Sequence, residues 1–269
     1  SAELAYARET LAASGAGGGM VSAEQLAARV AHTGPSLTTA ERAAGDRSWT
    51  YGHIVVDEAQ ELSPMAWRSL LRRCPARSFT VVGDVGQTSS AAGVQHWQES
   101  FDAIAKGHWR LAELTVNYRA PSSVMDAATH VLRESARQDG VTLSVAPVQS
   151  ARDLPGALRI AHGDLASEVA AALAIGGTSA VIVPPDQLDA VRTQLGVGSD
   201  VDLTQPLVVL DPVGSKGLEF DAVVALDVAA MPRGDAYVAM TRATRQMSLV
   251  GSIPASIRTM GDEDLGPRT

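Results

Sequence analysis

The stretch His53–Glu61, HIVVDEAQE, decides how the rest of the chain is read. Ile54, Val55 and Val56 form a short apolar run of the kind a buried strand presents. Two carboxylates, Asp57 and Glu58, follow at once. In open parallel α/β sheets the ligand lies at the carboxyl ends of the strands. An aspartate there can hold Mg²⁺, and a neighbouring glutamate can orient an attacking water. The same pattern also suits a plain strand end running into a helix N-terminus, where acids are favoured.

Outward from this point the chain alternates short apolar strands with helices, which predicts parallel sheets in an α/β fold. Ser63 and Pro64 suit an N-cap and first helical residue, with the helix running to Arg73. Phe79–Val82 is a second strand, ending in Gly83-Asp84-Val85-Gly86-Gln87-Thr88. Gln87 offers one donor and one acceptor group, which suits contact with a phosphate or a water. A strand over Leu111–Val116 leads into Asn117-Tyr118-Arg119-Ala120-Pro121, and a helix follows to Arg137. Arg119 at that junction can place a planar fork on phosphate oxygens, or can be an ordinary surface arginine.

A loop with a short strand at Thr142–Ala146 separates this half from a second strand–helix series. Its strands are expected at Leu158–Ala161, Val181–Val183, Pro206–Asp211, Asp221–Asp227 and Met247–Ser252. Its helices are expected at Leu165–Leu173, Pro185–Leu195 and Tyr237–Thr244, the last carrying Arg242. Between two strands lies Gly214-Ser215-Lys216-Gly217-Leu218-Glu219-Phe220. Glycines flank the lysine, so main-chain N–H groups can approach a phosphate. Glu219 is an acceptor for a ribose hydroxyl. The front of the chain reads as a helix over residues 1–14, a glycine break at Gly15–Gly19, and helices near Ala23–Ala31 and Ala40–Ala44.

Composition sets the outer bounds. The 269 residues are 45 % hydrophobic, enough for a sizeable core. The net charge of −8 excludes a surface that is basic throughout, though not a local basic groove. One cysteine, Cys74, permits no intrachain disulfide and suits a cytoplasmic location. No apolar run approaches the roughly 20 residues that span a bilayer, and no membrane association is expected. The six histidines show no metal-ligand spacing.

Together HIVVDEAQ, VVGDVGQT, LTVNYRAP, GSKGLEF and YVAMTRAT resemble motifs II to VI of the UvrD/Rep-like superfamily-one helicases, in that order. The resemblance covers Trp49 to Val250. It implies two RecA-like (P-loop NTPase-like) parallel-sheet domains clamping ATP and Mg²⁺, the first domain incomplete. The implied division is a helical lead-in over 1–48, the end of the first domain over 49–140, and the second domain over 141–269. The resemblance gives Asp57 the metal, with Glu58 beside it as catalytic base and second metal-site carboxylate. It gives Gln87 the link between γ-phosphate and nucleic-acid groove, and places Arg119 and Arg242 at the γ-phosphate. Tyr118 stacks near the adenine, and Gly217 and Glu219 bind nucleotide, Glu219 through the ribose.

The chain departs from that pattern in three ways. The Walker A loop G-x-x-x-x-G-K-[ST] is absent. This implies that the chain alone binds ATP poorly and hydrolyses it hardly at all, with a motor portion bearing the P-loop expected upstream. The span from Pro121 to Gly214 is too short for the large domain that Rep-type helicases insert there. Val213 stands where DNA-unwinding members carry a histidine. The absence of that inserted domain resembles the HelD branch with its HelR relatives, helicase-like ATPases that release bacterial RNA polymerase from stalled complexes or from rifamycin drugs, and Val213 weakens the case for nucleic-acid translocation. RNA polymerase is therefore the expected partner, with nucleic acid second. Two alternatives stay open: a fragment of a UvrD/Rep-type DNA helicase, and a non-catalytic RecA-like interaction module. The stretch from Asp227 to Tyr237 is also shorter than the family usually shows.

Overall fold

The structure is a computed structural model, and it describes residues 2–14, 22–24, 50–88, 93–94, 96–140, 148–161, 163–255 and 257. The expected glycine break at 15–19, nearly all of the two helices expected after it, and the strand expected at 142–146 lie outside these residues. The chain divides into two compact units, Ser1–Gly52 with Leu70–Ala76, and His53–Ser69 with Arg77–Thr269.

In the first unit the described residues include helix α1 (Ala2–Ser14). There Arg73 lies over the Tyr51 ring at 4.8 Å and donates to its hydroxyl at 2.9 Å. Cys74 is fully buried beside the Gly52 carbonyl.

Among the described residues the second unit holds three parallel sheets. Strand β1 (Ile54–Val56) pairs with β2 (Phe79–Val81), Ile54 opposite Phe79. Between them the chain passes through α2 (Pro64–Arg73), of which Pro64 to Ser69 belong to this unit, its start capped by the Ser63 hydroxyl accepting from the Ala66 N–H. After β2 come α3 (Trp97–Ala105), β3 (Val116–Asn117) and α4 (Ser122–Gln138). Strand β4 (Gln149–Ser150) pairs with β3.

The strand expected over Leu111–Val116 is only Val116–Asn117. The Thr115 and Asn117 carbonyls accept from the N–H groups of Gln149 and Ala151. Ahead of that pairing Leu111 and Leu114 stay exposed, so no apolar burial holds the earlier residues as a strand.

The main sheet has five strands in the order β5-β9-β8-β6-β7, all parallel. They are β5 (Leu158–Ile160), β6 (Ser179–Ile182), β7 (Leu207–Leu210), β8 (Phe220–Leu226) and β9 (Ala243–Val250). Alternate residues face opposite ways along a strand, and here both faces are apolar, as crossover helices demand. Ala180, Ile182, Val208, Val223 and Leu249 share one core with α4 and with α7 (Arg233–Met240). Val181, Val183, Val209 and Val224 share the other with α5 (Leu165–Ala174) and α6 (Leu188–Leu195). The α/β parallel-sheet fold expected from the alternation is therefore present. Among the described residues no helix is long and apolar enough to cross a membrane.

One site residue is placed differently from expectation. The helix expected over Tyr237–Thr244 is α7, ending at Met240, and Arg242 is not on it. The Arg242 carbonyl already accepts from the Phe220 N–H, and Ala243 pairs with Phe220. Ladder bonds to β8 thus claim the main chain before another helical turn can form. The last strand accordingly starts at Ala243, four residues ahead of the expected Met247.

Candidate functional site

At the end of β1 the chain turns sharply. Asp57 is exposed, and its Oδ1 accepts from the Glu58 N–H at 2.9 Å. Glu58 is left-handed at φ 49°, ψ 39°. That conformation costs a non-glycine residue roughly 1–2 kcal/mol, and such strain gathers at functional positions. A 3-10 turn over Ala59–Glu61 follows.

At the end of β2, Asp84 caps a second 3-10 turn over Val85–Gln87. Its Oδ1 accepts from the Gly86 N–H at 2.8 Å, and its Oδ2 from the Gln87 amide at 3.0 Å. The Gln87 amide oxygen then accepts from Arg242 Nη2 at 3.2 Å. Arg242 is 2 % exposed. Its other bonds go to the Val238 carbonyl at 3.1 Å and the Thr241 hydroxyl at 3.1 Å. Burial pushes its pKa below the usual guanidinium value, and the Arg119 charge adds to this, while Glu58, Tyr237 and Glu219 pull the other way. A buried cation bonded to neutral acceptors is a strong attractor for an anion.

Lys216 reaches the same place from the turn before β8. Its Nζ donates to Glu61 Oε1 at 2.5 Å and to the Gln87 carbonyl at 3.0 Å. The Gly214 N–H is satisfied by Asp211 Oδ1 at 2.7 Å, and Gly217 is left-handed at φ 74°. Arg119 lies in the turn after β3, where the Asn117 amide oxygen accepts from the N–H groups of Arg119 and Ala120 at 2.6 and 3.0 Å. Its Nη2 pairs with Glu219 Oε1 at 2.5 Å, both side chains nearly half exposed. Tyr118 beside it is 74 % exposed, an open aromatic face. Tyr237 is buried, and burial pushes its phenol pKa up, with the Asp84 charge adding to the shift.

The structure thus brings Gln87 to Arg242 and Arg119 to Glu219 by direct bonds, and couples Glu58 to Arg242 electrostatically. No direct bond joins Asp57, Tyr118 or Gly217 to those pairs among the described contacts. Reading the sequence alone missed Gln60, Glu61, Asp84, Asn117 and Gly234. Asp84 was legible in principle, since Asp followed two residues later by Gly is a common turn signal. Gly234 carried no signal: a Cβ there would lie 2.1 Å from the Thr88 carbonyl oxygen. Only the fold reveals that α7 packs main chain against that loop.

A magnesium–nucleotide can be tested against these side chains. Asp57 and Glu58 supply hard oxygen donors, the set Mg²⁺ takes. Arg119 supplies a half-exposed fork and Arg242 a buried charge. These fit a metal and a terminal phosphate. No sequence of the Walker A type is present to cradle the remaining phosphates.

No protein-family description matches the chain, and no curated protein matches it. Solved structures do show likeness. The helicase of the virus PRRSV is 17 % identical over 76 % of this chain, with a TM-score of 0.46. Arterivirus nonstructural protein 10 (helicase), solved in complex with DNA, is 15 % identical over 77 %, with a TM-score of 0.45. The C-terminal domain of a possible DNA helicase from Lactobacillus plantarum WCFS1 is 20 % identical over 52 %, with a TM-score of 0.36. The matches span 36 % and 41 % of the two viral chains and 91 % of the bacterial domain.

Proposed function

We propose that the chain is the C-terminal motor portion of a helicase-like ATPase of the kind that remodels bacterial RNA polymerase, as in the HelD branch. One observation carries this most directly: Gln87 is bonded to Arg242 across 155 residues of sequence. Two stretches resembling different helicase motifs meet there in one hydrogen bond. The Arg119–Glu219 pair repeats the pattern for two more.

In this reading Asp57 holds Mg²⁺, Glu58 orients the attacking water, and Arg119 and Arg242 neutralise the terminal phosphate. Bound Mg²⁺ would itself polarise the phosphate oxygens. Tyr118 offers a face for the adenine, and Gly217 and Glu219 belong to the nucleotide side. The two halves of the chain, divided near residue 140, act as RecA-like parts, with the P-loop supplied from upstream sequence.

Val213 and the short span before it favour RNA polymerase over DNA as the driving partner. The net charge of −8 points the same way, because single-strand grooves use basic tracks. The test compares ATP turnover of the longer gene product with and without RNA polymerase core enzyme, and with and without single-stranded DNA. Stimulation by the polymerase is expected. Stimulation by single-stranded DNA alone, falling steeply with salt, would assign the chain to a DNA helicase. No turnover under any condition would leave a binding module.

A further inference from the structure

We propose that Gln60 is a positioning residue, whose buried amide ties the Glu58 carboxylate to the main chain of the loop carrying Gln87. The inference rests on the reading of Glu58 as the group that orients water. Gln60 is fully buried, and a buried amide must be bonded at both ends. Its Nε2 donates to Glu58 Oε2 at 2.6 Å, and its Oε1 accepts from the Asp84 N–H at 3.1 Å. Its own carbonyl accepts from the Val94 N–H at 2.7 Å, which holds its main chain in place.

The direction of the amide is fixed by chemistry. A flipped amide would set its oxygen against a carboxylate and its NH₂ against the Asp84 N–H, losing both bonds. The space for it is also made deliberately small. A Cβ on Gly83 would lie 2.6 Å from Gln60 Oε1, 2.9 Å from the Trp97 ring and 3.1 Å from the Ala59 nitrogen. Gly83 is therefore the residue that lets the β2 loop close onto this amide.

The consequence is a short path between the two strand ends. Glu58 bonds Gln60, Gln60 bonds the Asp84 main chain, the Asp84 carboxylate bonds Gln87, and Gln87 bonds Arg242. Glu58 sits in a left-handed conformation, so its side chain needs an external tether to keep one direction. Gln60 supplies that tether and relays any displacement of the carboxylate to the loop.

The test uses the 269-residue chain without nucleotide, observed by NMR. Replacing Glu58→Gln in the native chain should move both the Gln60 side-chain amide and the Asp84 main-chain amide, and leave amides of β5 and β7 in place. In a Gln60→Met background, which keeps the volume but neither donates nor accepts, the Asp84 response should vanish while circular dichroism shows the fold intact. An Asp84 response that persists without Gln60 overturns the proposal. Should Gln60→Met fail to fold, the native chain still decides. A Gln60 side-chain amide that exchanges freely with solvent, or does not respond to Glu58→Gln, refutes the tether. In the longer gene product Gln60→Met should lower kcat by about 10- to 100-fold with KM for ATP unchanged. An unchanged kcat refutes it equally. The two readings fail separately: absent turnover with the Asp84 response intact removes the hydrolase reading and leaves the tether.

Discussion

Lys216, one of only two lysines in the chain, makes two charge-assisted bonds near the candidate site, to Glu61 and to the Gln87 carbonyl. Its side chain is 13 % exposed and that of Glu61 28 %, so water screens the pair only in part. Lys216→Met removes two charge-assisted bonds at once. We expect a loss of about 1–3 kcal/mol in denaturant unfolding, and no loss would mean the ammonium is not engaged in solution. A second residue-scale expectation concerns Tyr237. Its folded-state pKa lies above the ordinary 10.0, chiefly because of burial. The stability tied to the neutral phenol is intact below pH 10 and is lost as pH climbs through the raised value. The melting temperature should therefore fall above about pH 10, and Tyr237→Phe should make that fall shallower. Identical alkaline profiles would refute it.

At the scale of elements, α7 and the loop after β2 are locked by absent side chains. A Cβ added at Gly234 would lie 2.1 Å from the Thr88 carbonyl oxygen, and neither main chain can swing aside as a side chain would. Gly234→Ala should cost roughly 1–3 kcal/mol as overpacking and displace the 83–88 loop. Gly198→Ala, with nothing within 4 Å, is the matched control. Equal stability of the two variants would show that the close approach is not real. Elements also mark what the sequence could and could not reveal. Apolar runs at Val181–Val183 and Leu207–Leu210 announced β6 and β7, because a strand buried on both faces is mostly apolar along its length. The end of α7 was not legible, because Arg242 is compatible with a helix and only pairing with Phe220 pulls it into the sheet.

At the scale of the whole molecule, residues from one end of the second unit to the other are recruited to one place. Glu58, Gln87, Arg119, Glu219 and Arg242 come from the junctions of five different strands. Those residues were identifiable from the sequence because each sits in a short stretch resembling a helicase motif. Their supporting residues were not, because Gln60, Asp84 and Asn117 earn their roles only through hydrogen bonds made in the fold. In the proposed reading the buried Arg242, bonded to the neutral Gln87 amide, is the group that meets the phosphate. The most direct measurement is ATP turnover by the proposed P-loop-bearing protein and its Glu58→Gln variant, both saturated with nucleotide and Mg²⁺. A glutamate that orients water predicts a fall in kcat of about 10²-fold or more with nucleotide binding retained. Equal turnover by the two proteins would contradict the assignment of this strand end as the catalytic one.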